Sequence, residues 1–279
     1  LQKIRFRLMY TIFGSSGFIG SELKNYFIKK KISYFAAPKK KISFKKNLGN
    51  IIYCVGSDDW KTNVHKGFHS NLGHLQNILC NNKYKFFIFL SSTRIYLNSE
   101  NGSSENSLIK LSSLENNDYY NLLKLTSESL CLSLNKKNIK IIRLSNVLGR
   151  NFNSPLVLPT FIKSAITNSK INLFVNKNST KDYILIDDVI KLILKINKFG
   201  KYNLYNVASS KNVRLIDIAK IIKAKTNCSI VLKNQKKIVK EPKINISRIK
   251  KEFNYVSTFN FKNELIKLIN EFKFLKKIR

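Results

Sequence analysis

Tyr10-Thr-Ile-Phe-Gly14-Ser-Ser-Gly17-Phe-Ile-Gly20 runs a short apolar segment straight into glycines spaced three apart, ahead of a helix-forming stretch from Ser21 to Lys30. Strand, glycine turn and helix in that order suit a dinucleotide pyrophosphate. The free N–H groups and the dipole of a helix N-terminus both favour an anion. Gly14 supplies the tight turn, Gly17 lets the backbone approach phosphate, and Gly20 lets helix and strand pack closely. The spacing is G-x-x-G-x-x-G and not the G-x-G-x-x-G fingerprint, which points to a different branch of nucleotide-binding folds. Glycines after a strand also occur in ordinary turns, so the later segments decide.

Those segments alternate. Tyr10–Phe13, Ile32–Ala36, Ile51–Val55, Lys85–Leu90 and Ile139–Leu144 read as strands, while Ser21–Lys30, His65–Leu79 and Tyr119–Leu134 read as helices. Unbroken apolar strands such as Phe86-Phe-Ile-Phe-Leu90 suit a parallel sheet covered on both faces. The pattern predicts an α/β fold, a doubly wound parallel sheet of Rossmann type with right-handed crossovers. Asn98–Asn117, rich in Ser, Asn and Glu, reads as an irregular surface segment. Beyond residue 150 the pieces shorten around Pro155 and Pro159, which predicts a smaller second lobe.

Composition narrows the classes. The chain has 279 residues and is 43% hydrophobic, enough for a full core. No apolar run approaches the roughly 20 residues that span a bilayer, and Lys3, Arg5 and Arg7 interrupt the one signal-like stretch. The only methionine, Met9, precedes the first strand, so residues 1–8 read as an upstream extension. Cys54, Cys80, Cys131 and Cys228 form no C-x-x-C pair and fit buried thiols in a reducing cytoplasm. His65 and His69 share helical i, i+4 spacing, yet neither they nor His74 has an acidic ligand cluster nearby, so no metal is expected. The net charge of +35 invites a polyanionic partner. Only eight of the 51 basic residues are arginine, and the charge is spread along the chain. That fits AT-rich codon usage with an anionic small substrate better than nucleic-acid recognition, which leans on arginine.

Chemistry gathers at two places. Ser91-Ser92-Thr93 follows the strand that ends at Leu90, and Tyr120-Asn-Leu-Leu-Lys124 puts a phenol and an ammonium on one helical face. A tyrosine is a poor base at its ordinary pKa near 10; a neighbouring ammonium favours the phenolate. The pair makes a general acid/base suited to accompany hydride transfer, with the Ser92 hydroxyl holding the reacting oxygen. Y-x-x-x-K alone is weak in a chain so rich in both residues.

Taken together, the motifs resemble the extended short-chain dehydrogenase/reductase family, the NAD(P)-dependent sugar-nucleotide epimerases, dehydratases and reductases. Gly14-Ser-Ser-Gly-Phe-Ile-Gly20 is similar to G-x-x-G-F-I-G, Leu90-Ser-Ser-Thr-Arg-Ile-Tyr96 to S-S-x-x-V-Y, and Tyr120–Lys124 with Glu128 to Y-x-x-x-K-x-x-x-E. Arg143-Leu-Ser-Asn-Val-Leu-Gly149 resembles R-x-x-N-V-Y-G. Lys181-Asp-Tyr-Ile-Leu-Ile-Asp-Asp-Val189 resembles R-D-F-I-x-V-D-D-V, and Tyr205-Asn-Val-Ala-Ser209 resembles Y-N-V-G-S. Cys54-Val55-Gly56 departs from the usual H-L-A.

The resemblance implies a catalytic triad of Ser92, Tyr120 and Lys124. It implies a cofactor site of Gly14, Ser16, Gly17, Phe18, Ile19, Gly20, Val55 and Val147, with Tyr120 and Lys124 touching it too. Thr93, Asn146 and Lys181 would face a nucleotide-sugar, Lys181 standing where the family carries arginine. Residues 9–148 with 181–207 would bind the dinucleotide, and 149–180 with 208–279 would form the substrate lobe. Asp187 and Asp188 would cap a helix at the lobe junction. After the second strand, Ala36-Ala-Pro38-Lys39-Lys40-Lys41 lacks the carboxylate of many NAD-preferring members, and Lys39 tips the choice between NAD and NADP toward NADP. Thr93-Arg94 replaces the Asp-Glu of dTDP-glucose 4,6-dehydratases, leaving a 4-epimerase or a 4-keto-sugar reductase. A homodimer through the helix bearing Leu123, Leu130 and Leu134 is implied, although core packing explains those leucines equally well. The alternative is a non-catalytic RNA-binding or regulatory protein on the same fold.

Overall fold

The computed structural model describes residues 9–56, 63–97, 99, 102–115, 118–233, 235–236 and 238–277; residues 1–8, read above as an extension, lie outside them. The main sheet is built from β1 (Tyr10–Phe13), β2 (Tyr34–Ala36), β3 (Asn50–Tyr53), β4 (Phe86–Ser92), β5 (Ile139–Leu144) and β9 (Leu204–Val207). All neighbours pair parallel in the order β2-β1-β3-β4-β5-β9. Alternate residues of each strand enter different cores. Ile52, Ile88, Leu90, Ile142 and Leu144 face α1 (Phe18–Lys29) and α6 (Ile186–Phe199), while Ile51, Tyr53, Phe87, Phe89 and Ile141 face α3 (His74–Asn81) and α4 (Tyr119–Ser133). Burial on both faces is why these strands read as unbroken apolar runs.

The remaining strands form two smaller sheets. A three-stranded sheet joins β10 (Asn212–Arg214), β8 (Thr180–Leu185) and β6 (Asn146–Leu148), and a two-stranded one joins β11 (Ser229–Leu232) and β7 (Lys170–Leu173). Helices α5 (Val157–Thr167), α7 (Leu215–Thr226) and α9 (Phe261–Lys277) pack over a core of Leu158, Ile162, Ile218, Ile222 and Leu265. By contrast α8 (Ser247–Phe253) buries Ile249 in the main-sheet core.

The structure moves some boundaries. Helix α1 begins at Phe18 and not Ser21, because Gly17 is its N-cap and Gly20 is already helical. The single helix expected over His65–Leu79 is α2 (Val64–Phe68) and α3 joined by a π turn, His69–Gly73. Strand β4 runs on through Ser91 and Ser92. Within the segment expected to be irregular surface, Ser103 and Glu105 are buried. Cys131 and Cys228 are buried as expected, but Cys80 is exposed at the end of α3. Among the described residues no helix is long and apolar enough to cross a membrane.

A buried ion pair ties α4 to the sheet. Glu128 of α4 takes hydrogen bonds from Arg143 Nε at 3.1 Å and Nη2 at 2.6 Å, and from Ser91 Oγ at 2.5 Å. Arg143 Nη1 also donates to the Tyr96 hydroxyl at 2.5 Å, and that hydroxyl donates to Asn206 Oδ1 at 2.9 Å. Asn206 in turn donates to the Ser103 and Asn245 carbonyls and takes up Glu105 through its backbone N–H. Glu128 is 1% exposed and Arg143 5%, so removing one partner strands a charge in the core. Glu128→Ala is expected to lower unfolding free energy by about 3–5 kcal/mol. Urea denaturation checks this, with Glu128→Ala/Arg143→Met recovering part of the loss.

Candidate active site

In a sheet of order 2-1-3-4-5 the strand order reverses between β1 and β3, and the crevice at their C-terminal ends is where such folds bind ligands. The glycine turn lies there. Gly14 has φ +79°, and a Cβ on it would come within 2.9 Å of the Cys54 carbonyl. A Cβ on Gly20 would lie 2.2 Å from the Gly14 oxygen, so no side chain fits. Gly17 N–H closes the turn on Gly14 O at 3.0 Å. Helix α1 then opens with no side-chain cap and no acidic residue in its first turn. That leaves first-turn N–H groups and the positive end of the dipole with no side-chain cap or carboxylate competing for an anion. A dinucleotide pyrophosphate fits these residues. Ser16 is exposed at the rim, while Phe18 and Ile19 pack partly into the core below. Val55 follows Cys54 half-buried, and Lys39 is exposed in the turn after β2.

Across the crevice, β4 ends at Ser92, whose Oγ accepts the Arg94 N–H at 3.2 Å and so caps the short 3-10 turn Thr93–Tyr96. Thr93 is buried and donates to the Leu144 carbonyl at 3.3 Å. Helix α4 packs against both β4 and this turn. It brings Lys124 inward, where Nζ donates to the Leu90 carbonyl at 3.2 Å and lies 5.8 Å from the Tyr120 ring centroid and 5.1 Å from that of Phe89. The half-buried Tyr120 ring is flanked by a second cation, with Arg94 Cζ 5.8 Å from its centroid. Serine, tyrosine and lysine therefore come from a strand end and the helix packed on it.

The π turn contributes a residue that periodicity did not reveal. Asn71 is wholly buried, its Nδ2 donates to the Gly67 carbonyl, and Ser127 Oγ donates to its backbone carbonyl at 3.0 Å. Its Oδ1 has no hydrogen-bond partner among the described residues. A Cβ on Gly56 would lie 3.6 Å from that oxygen and 3.7 Å from Lys124 Nζ, so amide and ammonium flank one spot. Asn71 lies in the wider π turn, outside the ordinary helical spacing. Cys54 stays a thiol at neutral pH, because desolvation pushes it up to about 12 against the pull of Lys124.

On the lobe side, Asn146 and Lys181 meet a carboxylate that the sequence reading overlooked. Glu241 accepts Lys181 Nζ at 2.8 Å, Asn146 Nδ2 at 2.9 Å and the Asp182 N–H at 3.0 Å. Asn146, Val147, Lys181 and Tyr183 line a cleft together with Phe152 and Pro159. Asp187 and Asp188 do not cap α6. Leu185 is the N-cap, and the two carboxylates lie in the first turn, where they complement the dipole while Asp188 accepts the Tyr255 hydroxyl at 3.1 Å. Leu130 and Leu134, considered above for a dimer face, pack against this chain's own core.

Beneath the crevice His74 packs edge-on to Phe13 and shares a hydrogen bond with the Tyr53 hydroxyl at 2.8 Å. Burial lowers its pKa, and His69 adds to the effect. An unfolded histidine titrates near 6.5. Below that pH the unfolded chain binds a proton that the folded chain resists, so the stability linked to His74 is complete above it and lost as pH falls. The stability of His74→Gln is expected to vary less steeply between pH 7 and 5, by up to about 1.4 kcal/mol per pH unit. Denaturant midpoints across that range test it.

A family model described as the NAD dependent epimerase/dehydratase family matches residues 45–208. A dTDP-D-glucose 4,6-dehydratase of Dictyostelium discoideum is 26% identical over 76% of this chain, which spans 60% of that relative's length. An uncharacterized UDP-glucose epimerase of Bacillus subtilis is 24% identical over 74% of the chain and 67% of the relative. Among solved structures, the UDP-glucose 4-epimerase of Thermotoga maritima with UDP-glucose superposes with a TM-score of 0.80 at 15% identity, covering 98% of this chain and all of that one. RMD from Pseudomonas aeruginosa with NADPH gives 0.81 at 14% identity, covering 96% and 99%. At such identities the superpositions show the shared fold.

Proposed function

Since the chain belongs to the NAD dependent epimerase/dehydratase family, we propose that it catalyses hydride exchange at a carbon of a nucleotide-sugar, as a 4-epimerase or a 4-keto-sugar reductase. The observation that carries this reading is Lys124, drawn inward between the Phe89 and Tyr120 rings at the end of the sheet that holds the glycine cradle. Held there by the Leu90 carbonyl, the ammonium lies 5.8 Å from the Tyr120 ring centroid, near enough to favour the phenolate.

When bound, the nicotinamide supplies or accepts hydride. Tyr120 then moves a proton at the sugar oxygen, and Lys124 favours its phenolate. Ser92 presents its hydroxyl to the same oxygen and orients it. Gly14, Gly17 and Gly20, with the first-turn amides of α1, would cradle the pyrophosphate, flanked by Ser16, Phe18, Ile19, Val55 and Val147. Lys39 and Lys40, exposed after β2, support NADP over NAD through attraction to a 2′-phosphate. Asn146 and Lys181 would bind the substrate's phosphate side. The 3-10 turn offers Thr93 and Arg94 and no carboxylate, so it lacks an acid and base for eliminating water.

Tyr120→Phe is expected to lower turnover roughly 100- to 10,000-fold with NADPH affinity unchanged, read by single-turnover kinetics and fluorescence titration. Unchanged turnover would remove the tyrosine from the chemistry. Lys39→Ala/Lys40→Ala is expected to weaken NADPH about tenfold and leave NADH unaffected. Native mass spectrometry of the purified protein separates the two reactions. Tightly held NAD marks an epimerase, which regenerates its cofactor within each turnover. Empty protein that binds NADPH reversibly marks a reductase.

A further inference from the structure

The substrate-side donors already hold an anion that belongs to the protein. Glu241 gathers Lys181 Nζ, Asn146 Nδ2 and the Asp182 N–H on one carboxylate. The fold presents it there, because Glu241 N–H donates to the Thr180 carbonyl at 3.3 Å, Thr180 N–H donates to the Val239 carbonyl at 3.0 Å, and Asn212 Nδ2 donates to the Glu241 carbonyl at 2.6 Å. Lys181 is 21% exposed and Glu241 13%, so water screens the pair far less than it screens a surface contact. With Glu241 in place Lys181 is neutralised, and a phosphate entering the cleft meets a carboxylate on the donors it needs.

Resting on the nucleotide-sugar reading above, we propose that Glu241 is a displaceable internal ligand. It occupies the anion subsite of the cleft and sets the pocket's selectivity for charge, and a diphosphate binds by taking Lys181 and Asn146 from it. A ligand must replace a carboxylate with a phosphate on Lys181 and Asn146, leaving the Asp182 amide without its acceptor, so only a group with more charge and more acceptor oxygens than Glu241 gains from entering. A neutral sugar without its diphosphate cannot make that exchange.

The test is calorimetric titration of the full chain with UDP, and with inorganic pyrophosphate as a base-free control. Glu241→Gln keeps the side chain's shape and removes its charge. It is expected to tighten both ligands at least about fivefold, by an amount that shrinks with added salt. Lys181→Gln in the same background is expected to abolish that gain. A parallel readout needs no variant. UDP is expected to speed hydrogen exchange at the Asp182 amide of the wild-type protein, since displacement removes that amide's acceptor. Equal or weaker binding by Glu241→Gln, or slower Asp182 exchange with UDP, overturns the proposal and makes Glu241 a substrate ligand or a structural tie. Failure of the underlying reading looks different: neither protein binds UDP or pyrophosphate while both still bind NADPH, and the proposal falls with it.

Discussion

Lys124 and Tyr120 are positioned only as well as helix α4 is, and α4 is fixed from below by the Glu128–Arg143 pair. A carboxylate and a guanidinium removed from water must satisfy nearly every donor and lone pair or cost several kcal/mol. Here the surplus contacts go to Ser91 one residue before the strand's last serine, to Tyr96 at the end of the 3-10 turn, and through Tyr96 to Asn206 on the last strand. The pair therefore does more than join a helix to a sheet. It sets the register between the elements that bear the serine, the tyrosine and the lysine. The residues matching the family's motifs divide accordingly: Glu128, Arg143, Tyr96 and Asn206 build the frame, and Ser92, Tyr120 and Lys124 are the groups it presents.

The site has two halves of different character. On the sheet side, the glycine cradle works by absence: no Cβ at Gly20, no cap on α1, no acid in its first turn. On the lobe side, the cleft works by occupation, with Glu241 held on the donors that face it. One half leaves its donors open to an anion; in the other a carboxylate of the chain already holds them. On the proposed reading, a dinucleotide and a charged sugar derivative would meet different conditions of entry at the two halves.

Much of this was legible in the chain itself. Strand β5 spans the residues its apolar run predicts, and the glycine spacing located the tight turn ahead of α1 even though residues 10–20 lie outside the family match. Local signals failed where the structure departs from simple periods. The π turn breaks helical spacing, so Asn71 gave no sign of facing Lys124. Helix α1 hid its first turn inside the glycine motif, whose residues read as a loop. Glu241 was invisible for another reason: it lies 60 residues from Lys181 and 95 from Asn146, and no composition or spacing rule links positions so far apart. Asp187 and Asp188 misled because acidic residues at a helix start serve the dipole as readily as the cap.

Among the described residues, the short crossover between β2 and β3 leaves β2 as the outermost strand, where the dinucleotide-binding order 3-2-1-4-5-6 would place another beyond it. An open sheet edge invites pairing with a second chain. Only the three residues Tyr34–Ala36 are offered there, and the chain continues at once into Pro38 and the exposed Lys39, Lys40 and Lys41. A strand so brief, followed by proline and a run of like charges, is a poor template for a neighbour. Lysines that look superfluous in the composition thus lie where like charge opposes pairing along the margin of the sheet.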